Sequence, residues 1–293
     1  MRLFKHAMTF GVMACLCFIS GIPKPSFALE KPLLIQTDRF LDRARFDAAA
    51  RSRAVQMKRE DCEALRGGLV NHHALASDLL QELFQTLRAC RPDLKRIIIL
   101  SPDHFFQGRK TITTGSVSYV TDGNTMTTDQ ALLNELLRKK IAVSDPKLFR
   151  KEHGIGTIMP FLSENYPDIQ FLPIVIRSDV SLSEANRLAT FLRDSLDDKT
   201  FLLVSSDMSH YLPERVARQK DRETLRAFET NDRTFFWKAK DDHLDFGKGV
   251  RVALQVLESV RFERIGQSIS TSYGGPTAYT TTYFTGFWIA EKR

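Results

Sequence analysis

Most of the short signatures that fix a function locally are missing from this chain. It has four cysteines among 293 residues and neither a Cys-x-x-Cys pair nor a His-Glu-x-x-His helix, so no contiguous segment spells out a metal site. No Gly-x-Ser-x-Gly elbow surrounds any serine, which counts against the usual α/β-hydrolase arrangement. There is no Gly-x-x-x-x-Gly-Lys-Ser/Thr loop, and Gly154-Ile155-Gly156 is too short for a dinucleotide fingerprint, so nucleotide chemistry is not supported. No repeat, low-complexity tract or long Pro/Gly/Ser linker interrupts the sequence, which points to one compact domain. No apolar run reaches the roughly 20 residues of a membrane-spanning helix.

The first residues read as an export signal. Arg2 and Lys5 precede an apolar stretch from Ala7 to Ile22, and Ser26-Phe27-Ala28 places small residues where a signal peptidase reads. Cleavage after Ala28 is expected, with residues 1–28 as signal peptide and 29–293 as the folded domain, periplasmic or secreted and without stable membrane insertion. No lipobox cysteine ends the apolar stretch, which speaks against a lipid anchor. Cleavage would remove Cys15 and Cys17 and leave Cys62 and Cys90, which an oxidising compartment can join or which can stay as small buried groups. It would also take Arg2, Lys5 and Lys24 but no acid, bringing the formal charge from +7 to +4. The arginines between Arg39 and Arg59 are interleaved with Asp38, Asp42, Asp47 and Glu60, the pattern of a solvated face and not of a nucleic-acid groove.

What the sequence does have is three apolar runs that each break into a polar cassette carrying histidine. They are Leu69-Val70-Asn71-His72-His73, Ile97-Ile98-Ile99-Leu100-Ser101-Pro102-Asp103-His104 and Phe201-Leu202-Leu203-Val204-Ser205-Ser206-Asp207-Met208-Ser209-His210. Glu152-His153 lies in a similar break. Between them the spacing predicts helices over 74–88, 128–140, 183–196, 214–230 and 249–261, strands over 171–176 and 201–204, and a terminal strand over 280–290. This alternation predicts an α/β fold, a single domain with a mostly parallel central sheet flanked by helices and antiparallel strands at the C-terminal end. In such sheets ligands bind beyond the carboxyl ends of the strands, where the three cassettes fall.

Imidazoles from separate strand ends beside Asp103, Glu152 and Asp207 suit a transition metal, a common use of neutral histidine. A hydrolase reading of Ser205 or Ser206 with Asp207 and His210 ranks below turn and hydrogen-bonding roles, since close neighbours around a turn point in different directions. His72 and His73 are expected to face opposite ways, so only one enters the crevice. His243, in the charged stretch from Lys238 to Asp245, reads as part of a solvated loop.

In order, these cassettes resemble the MEMO-like family, called AmmeMemoRadiSam system protein B in bacteria. Asn71-His72-His73 is similar to its Pro-His-His motif and Ser101-Pro102-Asp103-His104 to its Gly-Pro-Ser-His. Glu152-His153 with Met159-Pro160-Phe161-Leu162, Ser205-Ser206-Asp207-Met208-Ser209-His210, and the ending Thr281-Thr282-Tyr283-Phe284-Thr285-Gly286 continue the match. The resemblance implies a fold like that of class III extradiol dioxygenases, which hold non-haem iron and open catechol rings. It implies His72, His104 and His210 around a transition metal, iron or copper ahead of zinc, and a small-molecule ligand or substrate. By the same resemblance His210 is the acid/base group, with Asp207, Glu152 and His153 as catalytic or supporting residues. The family often has Cys-Gly as a further ligand position, where this chain reads Asp245-Phe246-Gly247. Phenylalanine cannot ligate, so Asp245, His210 or another group has to substitute, or the chain is a non-catalytic ligand- or partner-binding protein.

Overall fold

The computed structural model describes residues 31–291, so the expected signal peptide and its cleavage point lie outside the described residues. Eleven strands are found among them: β1 (Leu33–Gln36), β2 (Leu65–Val70), β3 (Arg96–Pro102), β4 (Ile112–Thr114), β5 (Val117–Thr121), β6 (Asn124–Thr127), β7 (Val143–Ser144), β8 (Gln170–Ile176), β9 (Thr200–Ser205), β10 (Val260–Ile269) and β11 (Thr282–Ala290). Eight of them form the central sheet in the order β10-β11-β2-β9-β3-β8-β4-β7. The pairs β2–β9, β9–β3, β3–β8 and β4–β7 are parallel, while β11 runs antiparallel to both β2 and β10. The expected α/β architecture is therefore present, antiparallel C-terminal strands included.

Period-2 alternation explains why the middle strands read as continuous apolar runs. Ile98, Leu100, Leu202 and Val204 enter one buried cluster, which helices Gln130–Arg138, Leu182–Ser195 and Gly247–Leu257 cover. Ile97, Ile99, Phe201 and Leu203 enter a second on the other face, under helices Ser77–Cys90 and Met159–Asn165. Each such side chain stabilises the fold by about 1.5–3 kcal/mol through removal from water. No described helix is long and apolar enough to cross a membrane.

Several boundaries differ from expectation for local reasons. The helix expected from Ala74 begins at Ser77 after a tight 3-10 turn over Ala74–Ala76, because the Asn71 amide donates to the carbonyls of His73 and Ala76. The helix expected from residue 183 begins at Leu182, because Ser181 caps it in a reciprocal capping box with Glu184. The helix expected to reach Arg261 stops at Leu257, where Glu258 and Ser259 take positive φ values of 36° and 46° and turn the chain into β10. A second sheet, β1-β5-β6, had no counterpart in the sequence pattern. Cys62 and Cys90 form a disulfide.

Candidate metal centre

Strands β2, β9 and β3 are neighbours, in register such that Val70 pairs with Ser205 and Val204 with Leu100. Their carboxyl ends thus deliver His72, the Ser205–His210 cassette and His104 side by side. His72 is the member of its pair that turns into the crevice, buried, while the His73 ring hydrogen-bonds the Tyr283 hydroxyl at 2.7 Å. Glu152 and His153 arrive from the polar break before the one-turn helix His153–Gly156, which Glu152 caps.

Hydrogen bonding fixes which ring nitrogen faces the crevice. The Ser205 hydroxyl donates to the Gly154 carbonyl at 2.5 Å, so it accepts from His72 Nδ1 at 2.9 Å. Glu152 Oε1 takes His104 Nδ1–H at 2.5 Å, and its other oxygen takes the His104 backbone N–H at 3.1 Å. In both rings Nδ1 is committed to its partner and Nε2 is the atom that faces the crevice, and the two Nε2 atoms are 3.0 Å apart. A carboxylate oxygen joins them: Asp245 Oδ2 lies 3.0 Å from His72 Nε2 and 3.6 Å from His104 Nε2. Ser206 donates to Asp245 Oδ1 at 2.9 Å, which aims the other oxygen inward, where it is buried against the two imidazoles. The His72, His104 and His153 rings also offer nitrogens within 4.8 Å of one another.

Charge follows this geometry. Burial opposes a proton on His104, but Asp245 and Glu152 outweigh it and raise its pKa to about 10. His72 is raised as well, Asp207 and Asp245 overcoming its burial. Burial disfavours the Asp245 carboxylate, yet His72 and His104 hold it far below the usual carboxylate range. Glu152 is likewise lowered by His104 against its burial. His153 goes the other way, down to about 4, because it is buried and faces His104 and His72. Positive charge is strongly stabilised among the three converging atoms, and the neutral third imidazole is in its ligand form.

These atoms suit a metal ion. Two ligands in adjacent positions, each about 2.1 Å from an ion, are separated by about 3.0–3.4 Å; two of the observed separations, 3.0 and 3.0 Å, fall in that range and the third, 3.6 Å, is slightly wider. Two histidines and one carboxylate form the donor set of non-haem iron sites with open positions.

The remaining expected residues take supporting places. Asp207 Oδ1 accepts the His72 backbone N–H at 2.9 Å, and its Oδ2 is 3.9 Å from His72 Nε2. His210 is not part of the three-histidine group. Its backbone is tied to the Asp241 carbonyl, and its Nδ1 is buried and unpartnered. Asp103 caps the following loop by accepting the N–H groups of Gln107 and Gly108. Ser205 and Ser206 are fully buried and act as hydrogen-bonding groups, Ser205 toward the Gly154 carbonyl and His72 and Ser206 toward Asp245, the role ranked first for them. Phe246 points into the apolar core, so the side chain before it, Asp245, enters the crevice. His243 is no solvated loop residue: it is mostly buried, held by Glu223 at 2.8 Å and Asp242 at 3.0 Å. Sequence reasoning raised Asp245 only as a substitute ligand, and its signal was a carboxylate one residue from the position left empty by phenylalanine.

A family profile described as Memo-like protein matches residues 60–285. Among curated relatives, a MEMO1 family protein of Pyrobaculum arsenaticum is 30% identical over 176 residues, 58% of this chain and 61% of its own length. One of Aquifex aeolicus is 28% identical over 193 residues, 64% and 71% respectively. One of Caldivirga maquilingensis is 24% identical over 153 residues, 51% and 54%. The chain thus spans from about half to about seven-tenths of the length of these relatives. Among solved structures, an uncharacterized protein of Escherichia coli K12 superposes with a TM-score of 0.44 at 17% identity, over 75% of this chain and 99% of that one.

Proposed function

The chain belongs to the Memo-like family, and from that premise we propose that its crevice is a mononuclear transition-metal centre, held by His72 Nε2, His104 Nε2 and Asp245 Oδ2. The observation that carries this reading is the convergence of those three donor atoms within 3.6 Å of one another, with both Nδ1 atoms already engaged and Asp245 Oδ2 buried against the two imidazoles. The donor set favours iron ahead of copper and zinc. When bound, such an ion supplies Lewis-acid and one-electron chemistry toward dioxygen and a small-molecule substrate.

The chain's own residues do the rest. Ser205 and Glu152 lock the two ligand rings, and Ser206 orients Asp245. His153, neutral near pH 7, lies over His104 with ring centroids 3.9 Å apart and narrows the crevice on that side. His210, with an unpartnered buried Nδ1, is the group assigned to accept or return a proton of the substrate. This supports oxidative chemistry of the dioxygenase type on a small molecule, in a protein exported through its N-terminal signal. The Cys62–Cys90 disulfide supports an oxidising compartment.

The test is metal content by plasma mass spectrometry of tag-free protein starting at Leu29, beside the double variant His72→Ala/His104→Ala. Near-stoichiometric metal in the parent, lost in the variant, supports the reading. No metal after anaerobic and aerobic reconstitution overturns it.

A further inference from the structure

The family match begins at residue 60, yet residues 33–49, which precede it, reach the metal centre's supports. β1 pairs in parallel with β5, and Thr37 Oγ1 donates to the Val120 carbonyl at 3.1 Å. A 3-10 turn, Thr37–Phe40, then leads to helix Arg43–Ala49, which Asp42 caps. Phe46 anchors that helix against Phe161, with ring centroids 4.9 Å apart. The seam beside it is not filled: a cavity of about 310 Å³ opens between Thr37, Leu41, Phe46, Pro160 and Ser163. The segment is therefore held at discrete points.

Two of those points belong to the loops that carry the histidines. Arg45 reaches the Leu75 carbonyl at 3.5 Å, in the turn that follows His72 and His73. The Phe40 ring lies flush on Gly156, the last residue of the one-turn helix that Glu152 caps and His153 opens. The approach is so close that a Cβ built on Gly156 would stand 2.6 Å from Phe40 Cγ. Only glycine lets the ring sit there. Behind this contact the chain runs straight to the groups that set the centre: Glu152 holds both His104 Nδ1 and the His104 N–H, and the Gly154 carbonyl holds Ser205.

We propose that Phe40 is a positioning residue for the metal centre: its ring, wedged on Gly156 where the strap of residues 33–49 crosses it, fixes the helix bearing His153 and, through Glu152, the ring of His104, while the Phe46 anchor serves the strap's stability only. This rests on the metal-centre reading for its affinity readout, and on the structure alone for the contact.

The test uses the full mature protein and four variants. Phe40→Ala removes the ring and Gly156→Ala pushes it off. Phe40→Leu restores bulk, and Phe46→Ala loosens the strap at its other anchor, away from the helix. Cobalt(II) titration followed by d–d absorption is expected to show binding weakened about tenfold in Phe40→Ala and Gly156→Ala, with an altered spectrum. Phe40→Leu should recover most of the loss, and Phe46→Ala should lower thermal stability with affinity unchanged. Equal binding in Phe40→Ala and the parent overturns the proposal, as does an equal loss in Phe46→Ala. Ring ¹H–¹⁵N spectra of the metal-free proteins give a second readout, in which the His153 and His104 signals should move in Phe40→Ala and Gly156→Ala but not in Phe46→Ala. If the parent takes up no cobalt, the metal reading fails, and these ring signals still decide the role of Phe40: unmoved in Phe40→Ala, they overturn it.

Discussion

Asp221, in helix Glu214–Glu229, is the buried carboxyl behind the loop that carries His210, and replacing it with asparagine should stabilise the protein at neutral pH. Its Oδ1 accepts hydrogen bonds from Thr282 Oγ1 at 2.6 Å and Ser209 Oγ at 3.2 Å, while Oδ2 is buried with no partner. Burial raises the pKa from 3.8 to about 6, the two hydroxyls recovering only part of the charged form's lost hydration. The folded state therefore binds this proton more tightly than the unfolded chain. The resulting contribution to stability is fully present below pH 3.8 and is lost as pH rises through 6. At 1.36 kcal/mol per pKa unit, the carboxylate costs the native state about 3 kcal/mol near pH 8. Asparagine keeps an acceptor for both hydroxyls and has no charge to desolvate. In urea unfolding followed by circular dichroism, Asp221→Asn should exceed the parent by up to that amount at pH 8, and most of the gap should close at pH 4. A gap independent of pH, or a parent more stable at pH 8, would refute the reasoning.

Three further substitutions address other parts of the structure. Ser205→Ala should weaken metal binding by about 10–100-fold, since His72 loses the acceptor that fixes its tautomer; unchanged affinity in a chelator competition would rule out that role. Gly154→Ala would place a methyl against Ser101 Oγ, 3.1 Å from His104 Cε1 and 3.2 Å from Glu152 Oε1, so thermal unfolding should report a loss of about 1–3 kcal/mol together with reduced metal uptake. Cys62→Ser/Cys90→Ser opens a crosslink between residues 28 apart and should cost about 3.5 kcal/mol by the loop-entropy relation. Reductant should bring the parent down to the variant's stability, and a parent insensitive to reductant would contradict this.

The parallel sheet was legible because its middle strands are buried on both faces and read as unbroken apolar runs ending in polar cassettes, as Ile97–Leu100 and Phe201–Val204 do. That pattern placed His72 and His104 at the ends of strands without any knowledge of register, and β9 proves to lie between those two strands. The short strands β4, β5, β6 and β7 were not legible, since two to five residues are too few to show a period. Strand β10 was hidden behind a helical apolar spacing that Glu258 and Ser259 cut short with their positive φ values. Within the site, residue identity located the donors, but only three-dimensional placement shows that His153 joins His72 and His104. Choosing between Asp245 and Phe246 likewise required knowing which of two consecutive side chains turns into the apolar core. His243 misled because a run of charges reads as solvated when its partners lie elsewhere in the sequence, as Lys220 and Glu223 of helix Glu214–Glu229 do for Asp242 and His243.

The central claim is that His72, His104 and Asp245 hold one metal ion between them. Its most direct test is an anomalous-difference map from crystals of the mature protein grown anaerobically with iron(II) and measured on both sides of the iron absorption edge. The account expects a single strong peak about 2.0–2.2 Å from His72 Nε2, His104 Nε2 and Asp245 Oδ2. A peak bound elsewhere, or none beside these three atoms at full iron loading, would contradict it.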